Sequence, residues 1–141
     1  MALNTSHFAK CIETLEVSLK HLGNETPGTT DYDVFRYAVV KGFELCLELA
    51  GKLLRKSLRK FGGSPREIDA LLYKDVFRRA AKHGLLDSPE VERWFVYREN
   101  RNQTAHDYGA GFAEATLVLL PGFLTDARRL ETRLRQEDGD A

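Results

Sequence analysis

GFELCLELAGKLLRKSLRKF, residues 42–61, carries the pattern that decides the fold. Phe43, Leu47, Ala50, Leu54, Leu58 and Phe61 recur at steps of three and four, the spacing of one helix face. Leu45, Leu49 and Leu53 widen that stripe. The spacing predicts a long helix from about Asp31 to Lys60, with Asp31 suited to cap it. Gly42 and Gly51 each cost about 1 kcal/mol against alanine inside a helix. They therefore mark either a kink or the close approach of another helix. Gly62-Gly63-Ser64-Pro65 breaks the chain.

The same period runs outward in both directions. Phe8, Cys11, Ile12, Leu15, Leu19 and Leu22 paint an earlier helix, with capping oxygens at Asn4, Thr5 and Ser6 and a stop at Gly23-Asn24. Residues 24–30 read as a loop around Pro27 and Gly28. The stretch Pro65 to Gly84 is helical but divided, with Pro65 in a first helical position and Val76, Phe77, Ala80 and Ala81 as the later apolar face. Asp87-Ser88-Pro89-Glu90 is a helix start: a capping residue, a proline, then an acid. Val91, Trp94, Phe95 and Arg98 follow. A last helix begins near Gly109 or Gly111 and keeps period through Phe112, Ala115 or Thr116, Leu119, Leu120, Phe123, Ala127, Leu130 and Leu134. Pro121 should bend it. The expected fold is all-α, an up-and-down bundle of about five helices. One domain is expected over residues 1–141, with its core over about 5–135 and an acidic tail at 136–141.

Composition narrows the function classes. The 141 residues hold 21 Lys plus Arg and 21 Asp plus Glu, so the formal net charge is zero. A chain of this length suits one core, and 43% hydrophobic residues is too many for a disordered chain. Neutrality excludes a polycation that binds phosphate by bulk attraction, so any nucleic acid must meet a local patch. Cys11 and Cys46 lie far apart at apolar positions, the usage of buried thiols in a reducing cytosol. The histidines His7, His21, His83 and His106 show no zinc spacing. The first ten residues lack the apolar run of a signal peptide, and nothing is long enough to span a membrane. A cytoplasmic location is expected, with no metal and no cofactor.

Two constellations carry chemistry. The first is R101NQTAHDY108, the most polar stretch between two apolar helices. On a regular helix Arg101 and His106 stand about 140° apart, so the helix must end near Thr104 for a turn to bring them to one cleft. Arginine suits phosphate contact, and histidine exchanges a proton near neutrality. The pair is equipped to cleave RNA: His106 draws the proton from a ribose 2′-hydroxyl while Arg101 steadies the charge building on phosphorus. A structural alternative stands beside this, with Arg101 capping a helix end and His106-Asp107 opening the next. The second constellation is Lys52, Arg55, Lys56, Arg59 and Lys60, at positions i, i+3, i+4, i+7 and i+8. They form one helix face suited to RNA phosphates or an acidic partner. A solvated helix face is the plain alternative. Asp31-x-Asp33 lacks the Gly-Ser and strand that precede a nucleotidyltransferase metal pair, and Gly109-Ala110-Gly111 lacks the strand of a dinucleotide site.

The string from Arg101 to Tyr108 resembles the R-x(4–6)-H signature of HEPN domains, in its R-x4-H-x-Y form. Gly42-Phe43-Glu44-Leu45, Ser64-Pro65-Arg66, Ala80 to Leu86 and Trp94 to Asn102 are similar to the nucleotidyltransferase substrate-binding subgroup, over roughly residues 5 to 135. A tryptophan frequent in that subgroup's second helix is absent near Leu49 or Ala50, which touches core packing and leaves the motif intact. The resemblance implies a homodimer with two motifs facing one cleft. It implies a metal-independent endoribonuclease toxin with Arg101 and His106 catalytic and Asn102 supporting. The partner it implies is a minimal nucleotidyltransferase antitoxin, which neutralises the toxin by complex formation or by transferring AMP to Tyr108. The alternative from the same resemblance is a non-catalytic substrate-binding subunit of a two-component nucleotidyltransferase.

Overall fold

The computed structural model describes the backbone of residues 3–104 and 110–139, and among these residues there are helices and no strand. The first two helices, α1 (Ser6–Gly23) and α2 (Thr30–Leu58), are followed by a 3-10 turn, Arg59–Phe61. Then come α3 (Pro65–Asp69), α4 (Tyr73–Lys82), α5 (Ser88–Thr104) and α6 (Ala110–Gly139). The described residues thus form six α-helices where the pattern suggested about five. The stretch from Pro65 to Gly84 is indeed divided, into α3 and α4.

The helix ends follow from local chemistry. Asn4 Oδ1 accepts from the Ser6 amide at 2.9 Å as α1 begins. Thr29, not Asp31, caps α2: its Oγ1 accepts from the Tyr32 amide at 3.2 Å. Asp31 and Asp33 instead occupy the first turn, where carboxylates complement the positive end of the helix dipole. Ser64 Oγ accepts from the Glu67 amide at 3.1 Å, directly before Pro65. Gly84 ends the α4 region at φ +81°, a left-handed conformation that L side chains rarely adopt.

The core sits where α2 and α6 meet α1, α4 and α5. Phe43, Leu47, Ala50, Leu54 and Leu58 are all buried, as their period requires. Leu45 departs from expectation and is 40% exposed. It lies about 200° round the helix from Phe43, so it cannot share that face. Phe61 departs as well, because the chain has tightened into the 3-10 turn; its ring stacks on His83 at 4.1 Å instead. Gly42 marks a close approach within one continuous α2, whereas Gly51 sits in ordinary contact distance of its neighbour. A Cβ on Gly42 would stand 3.2 Å from Leu15 Cδ1 in α1, and one on Gly51 would stand 3.6 Å from the Tyr73 ring in α4.

On α6, Thr116, Leu120, Phe123, Ala127, Leu130 and Leu134 are buried, whereas Ala115 faces outward. Phe123 is the hub of an aromatic cluster. It meets Phe43 at 4.8 Å, Tyr97 at 5.1 Å and Trp94 at 5.5 Å, and Trp94 in turn meets Phe77 at 5.4 Å. Edge-to-face contacts of this kind add to area burial. Cys46 is fully buried and Cys11 half-buried. Burial pushes the Cys46 thiol up to about 12. No helix among the described residues is long and apolar enough to cross a membrane.

Candidate functional site

Helices α5 and α6 flank the motif, and three polar latches set their register. The first is at the start of α5. Glu90 N donates to Asp87 Oδ1 at 2.8 Å, and Asp87 N donates to Glu90 Oε1 at 3.2 Å, a reciprocal cap. The Glu90 amide holds the Asp87 carboxyl below the usual carboxylate range. Arg133 of α6 reaches the buried Glu90 carboxylate at 2.6 Å and the Leu85 carbonyl at 3.1 Å. The second latch is mid-helix. Asp126 of α6 is buried and accepts from Arg93 Nε at 2.8 Å, Arg93 Nη2 at 3.0 Å and Tyr97 Oη at 2.5 Å. Burial, then the bond to Asp126, raises the Tyr97 phenol well above its ordinary value. The third latch lies one residue before the motif, where Asn100 Nδ2 donates to Thr116 Oγ1 at 2.8 Å and both residues are buried.

These contacts make α5 and α6 antiparallel and bring the end of one beside the beginning of the other. Arg101 occupies the last turn of α5 and is half-buried, and Asn102 beside it is exposed. Helix α5 ends at Thr104 and α6 begins at Ala110. His106 and Tyr108 themselves lie outside the described residues. One turn before Arg101, the Arg98 guanidinium lies 4.7 Å from the Tyr73 ring centroid, a cation–π contact that ties α5 to α4. Among the described residues no group of His, Cys, Asp or Glu is placed to hold a metal ion.

The basic stripe of α2 is split by the fold. Arg55 turns to the end of α3 and donates to the carbonyls of Ile68 at 2.7 Å and Leu71 at 2.8 Å. Such contacts satisfy carbonyls that a helix end leaves without partners. Arg59 pairs with Asp69 at 3.3 Å and Lys52 with Glu48 at 3.4 Å. Lys60 continues into the 3-10 turn. Lys52, Lys56 and Arg59 line a groove of about 410 Å³ with Asn4 and His7 of the α1 start. The sequence pattern flagged neither Asn4 nor His7 for this role, nor Asp126 for its latch. Periodicity on one helix carries no signal about its neighbour.

The comparisons with known proteins agree with this architecture. The family described as "Nucleotidyltransferase substrate binding protein like" matches residues 3–136. A probable ribonuclease HepT of Haemophilus influenzae is 29% identical over 106 residues, covering 75% of this chain and 71% of that protein. A solved Haemophilus influenzae structure, described as having the fold of a substrate binding domain of a nucleotidyltransferase, has TM-score 0.83 and 25% identity, covering 94% of this chain and 100% of that one. A tri-AMPylated HEPN toxin of Shewanella oneidensis, solved in complex with its MNT antitoxin, has the same fold at TM-score 0.65 and 15% identity, covering 93% of this chain and 98% of that one. With the family match spanning residues 3–136 and the whole bundle reproduced in the solved relative, the chain belongs to the nucleotidyltransferase substrate-binding protein-like family.

Proposed function

We propose that this protein is the toxin of a two-component toxin–antitoxin pair, a metal-independent endoribonuclease with Arg101 and His106 as its catalytic residues. The observation that carries the reading is the place of Arg101. It is half-buried in the last turn of α5, one residue past the Asn100–Thr116 latch and five residues before His106 in the sequence. The relative named a probable ribonuclease supports the same activity.

In this reading His106 accepts the proton of a ribose 2′-hydroxyl, and the 2′-oxygen attacks the adjacent phosphorus. The bond to the 5′-oxygen breaks, that oxygen takes up a proton, and a 2′,3′-cyclic phosphate remains. Arg101 carries the charge that grows on the phosphoryl oxygens. Asn102 lies beside Arg101 to orient the phosphate. A homodimer would set two such motifs in one cleft. The outward α5–α6 face suits a second copy, since its groove is lined by Val96, Ala115, Val118 and Leu119, with Val118 80% exposed. A minimal nucleotidyltransferase is the antitoxin. AMP on Tyr108 would set a bulky negative group in the motif and repel RNA.

The test is induction in a bacterium of the wild type, Arg101→Ala and His106→Ala, without the partner gene. Growth arrest and RNA cleavage by the wild type alone are expected. Arrest-free growth and intact RNA in all three would refute the toxin reading. That result would favour the second reading, a non-catalytic subunit that presents substrate to a nucleotidyltransferase. The structural relative described as such a substrate binding domain supports this second reading. Mass spectrometry after co-expression with the partner should find added AMP on Tyr108, and an unmodified Tyr108 beside an active transferase would remove that mode of control.

A further inference from the structure

The groove between α1 and the second half of α2 is built from residues far apart in sequence. Its basic wall is Lys52, Lys56 and Arg59, and its opposite wall is the start of α1, with Asn4 and His7. Phe8, Leu49 and Leu53 give it an apolar floor, of which Phe8 and Leu53 are buried. Two carboxylates approach the cations, Glu48 at Lys52 and Asp69 at Arg59, and both are exposed pairs that water screens. Lys56 has no carboxylate partner among the described residues. The groove therefore keeps an excess of positive charge even with its acids ionised.

Its location matters as much as its charge. At one end of the α1–α2 pair His21 stacks on Phe35, and at the other His7 and Phe8 lie against Leu49 to Lys56, so the two helices are antiparallel. Gly51 of α2 is beside Tyr73, and Tyr73 is beside Arg98 of α5. Arg101 is the next turn of α5. Phe61 stacks on His83 and Phe77 lies beside Trp94, so α4 runs along α2 and α5 runs against it; Arg101 therefore lies beyond Gly51 from Arg59, away from the groove.

We propose that this groove is a second RNA-contact site, apart from the motif, which holds backbone phosphates of the strand that is cut at Arg101 and His106. The proposal rests on the ribonuclease reading for the second half of that statement. A segment of single strand fits the size: a volume of about 410 Å³ lies within the range of small-ligand pockets. The basic rim meets phosphate while the apolar floor receives sugar or base. Arg55 also lines the groove, but its guanidinium is committed to carbonyls at the end of α3.

The experiment uses full-length protein and a short fluorescein-labelled single-stranded oligoribonucleotide. Binding is followed by anisotropy across a salt series for the wild type, Lys56→Gln alone, and Lys52→Gln with Lys56→Gln. Lys56→Gln removes no hydrogen bond or ion pair among the described residues, which keeps the test independent of folding. The double variant should weaken binding and flatten the slope of log K against log salt by about 1.4, two phosphate contacts at about 0.7 each for a single strand. In cleavage assays KM should rise while kcat at saturating RNA stays at the wild-type value. His106→Ala should do the reverse, keeping the salt slope and losing turnover. An unchanged slope in both groove variants overturns the proposal. So does a loss of antitoxin binding with RNA binding intact, which would make the groove a protein interface. Slope loss in the groove variants, with a wild type that never cleaves RNA, would keep the groove as an RNA site and fail the ribonuclease reading instead.

Discussion

Replacing Asp126 by alanine should loosen the helix pair that carries the motif. The Asp126 carboxylate is buried and accepts three hydrogen bonds, two from Arg93 and one from Tyr97. The two donors respond differently to its loss. The Arg93 side chain is 44% exposed, so its guanidinium finds water. The Tyr97 hydroxyl belongs to a residue only 3% exposed and stays inside without a partner. An orphaned buried polar group costs about 1–3 kcal/mol. Loss of the charged bonds brings the expected total to about 2–4 kcal/mol, below the usual cost of stranding a fully buried charge. That is a large share of the roughly 5–15 kcal/mol typical of a domain.

The assay is urea denaturation of Asp126→Ala, Tyr97→Phe and the double variant. Because the double variant has no hydroxyl to strand, it should be more stable than the two single losses added together by about 1 kcal/mol or more. An Asp126→Ala variant within about 0.5 kcal/mol of wild type would refute the reasoning, since ordinary surface substitutions fall in that range. So would strict additivity, which would show that Asp126 and Tyr97 do not act as a unit.

Gly42→Val should destabilise the protein by about 1–3 kcal/mol, as overpacking does, because even a Cβ there would press on Leu15 at 3.2 Å; thermal melting checks it, and a variant as stable as wild type would show that α1 and α2 are less tightly packed. The Cys46 thiol, pushed up to about 12 by burial, should stay protonated at neutral pH and resist a thiol reagent until the protein unfolds, while half-buried Cys11 reacts first. A group whose folded value is raised above its unfolded value of 9.0 lends stability that is fully present below that value and is lost as pH rises from about 9 toward 12. Cys46→Ala should therefore show a weaker loss of stability over that alkaline window, and an unaltered pH profile would count against the burial argument.

Much of this molecule is legible from period and punctuation. The steps of three and four place α1, α2, α5 and α6, because side chains on one helix face must share one side of the core. Asp87-Ser88-Pro89-Glu90 marks the start of α5, since the cap is made within four residues of chain. The exceptions share a cause. Leu45 belongs to the apolar composition of α2 but not to its buried face, and Phe61 lies where the helix has already tightened into a 3-10 turn. Asp31 looked like a cap, but Thr29, two residues earlier, takes that role.

The sequence by itself determined the helices, their order, the R-x4-H-x-Y string and the candidate residues Arg101, Asn102, His106 and Tyr108. These are local properties, set by side-chain spacing and by bonds a few residues long. Tertiary structure alone decided which cations remain available and which are committed. Arg55 and Lys56 are neighbours on one basic stripe, yet Arg55 closes α3 while Lys56 faces a groove shared with His7. It likewise decided that Asp126 joins Arg93 and Tyr97, 33 and 29 residues away. The physical reason is that helical period fixes direction around one axis only. Which side chains meet across two axes depends on register and packing distance, and these are set by the whole core, including the close approach that Gly42 allows at Leu15.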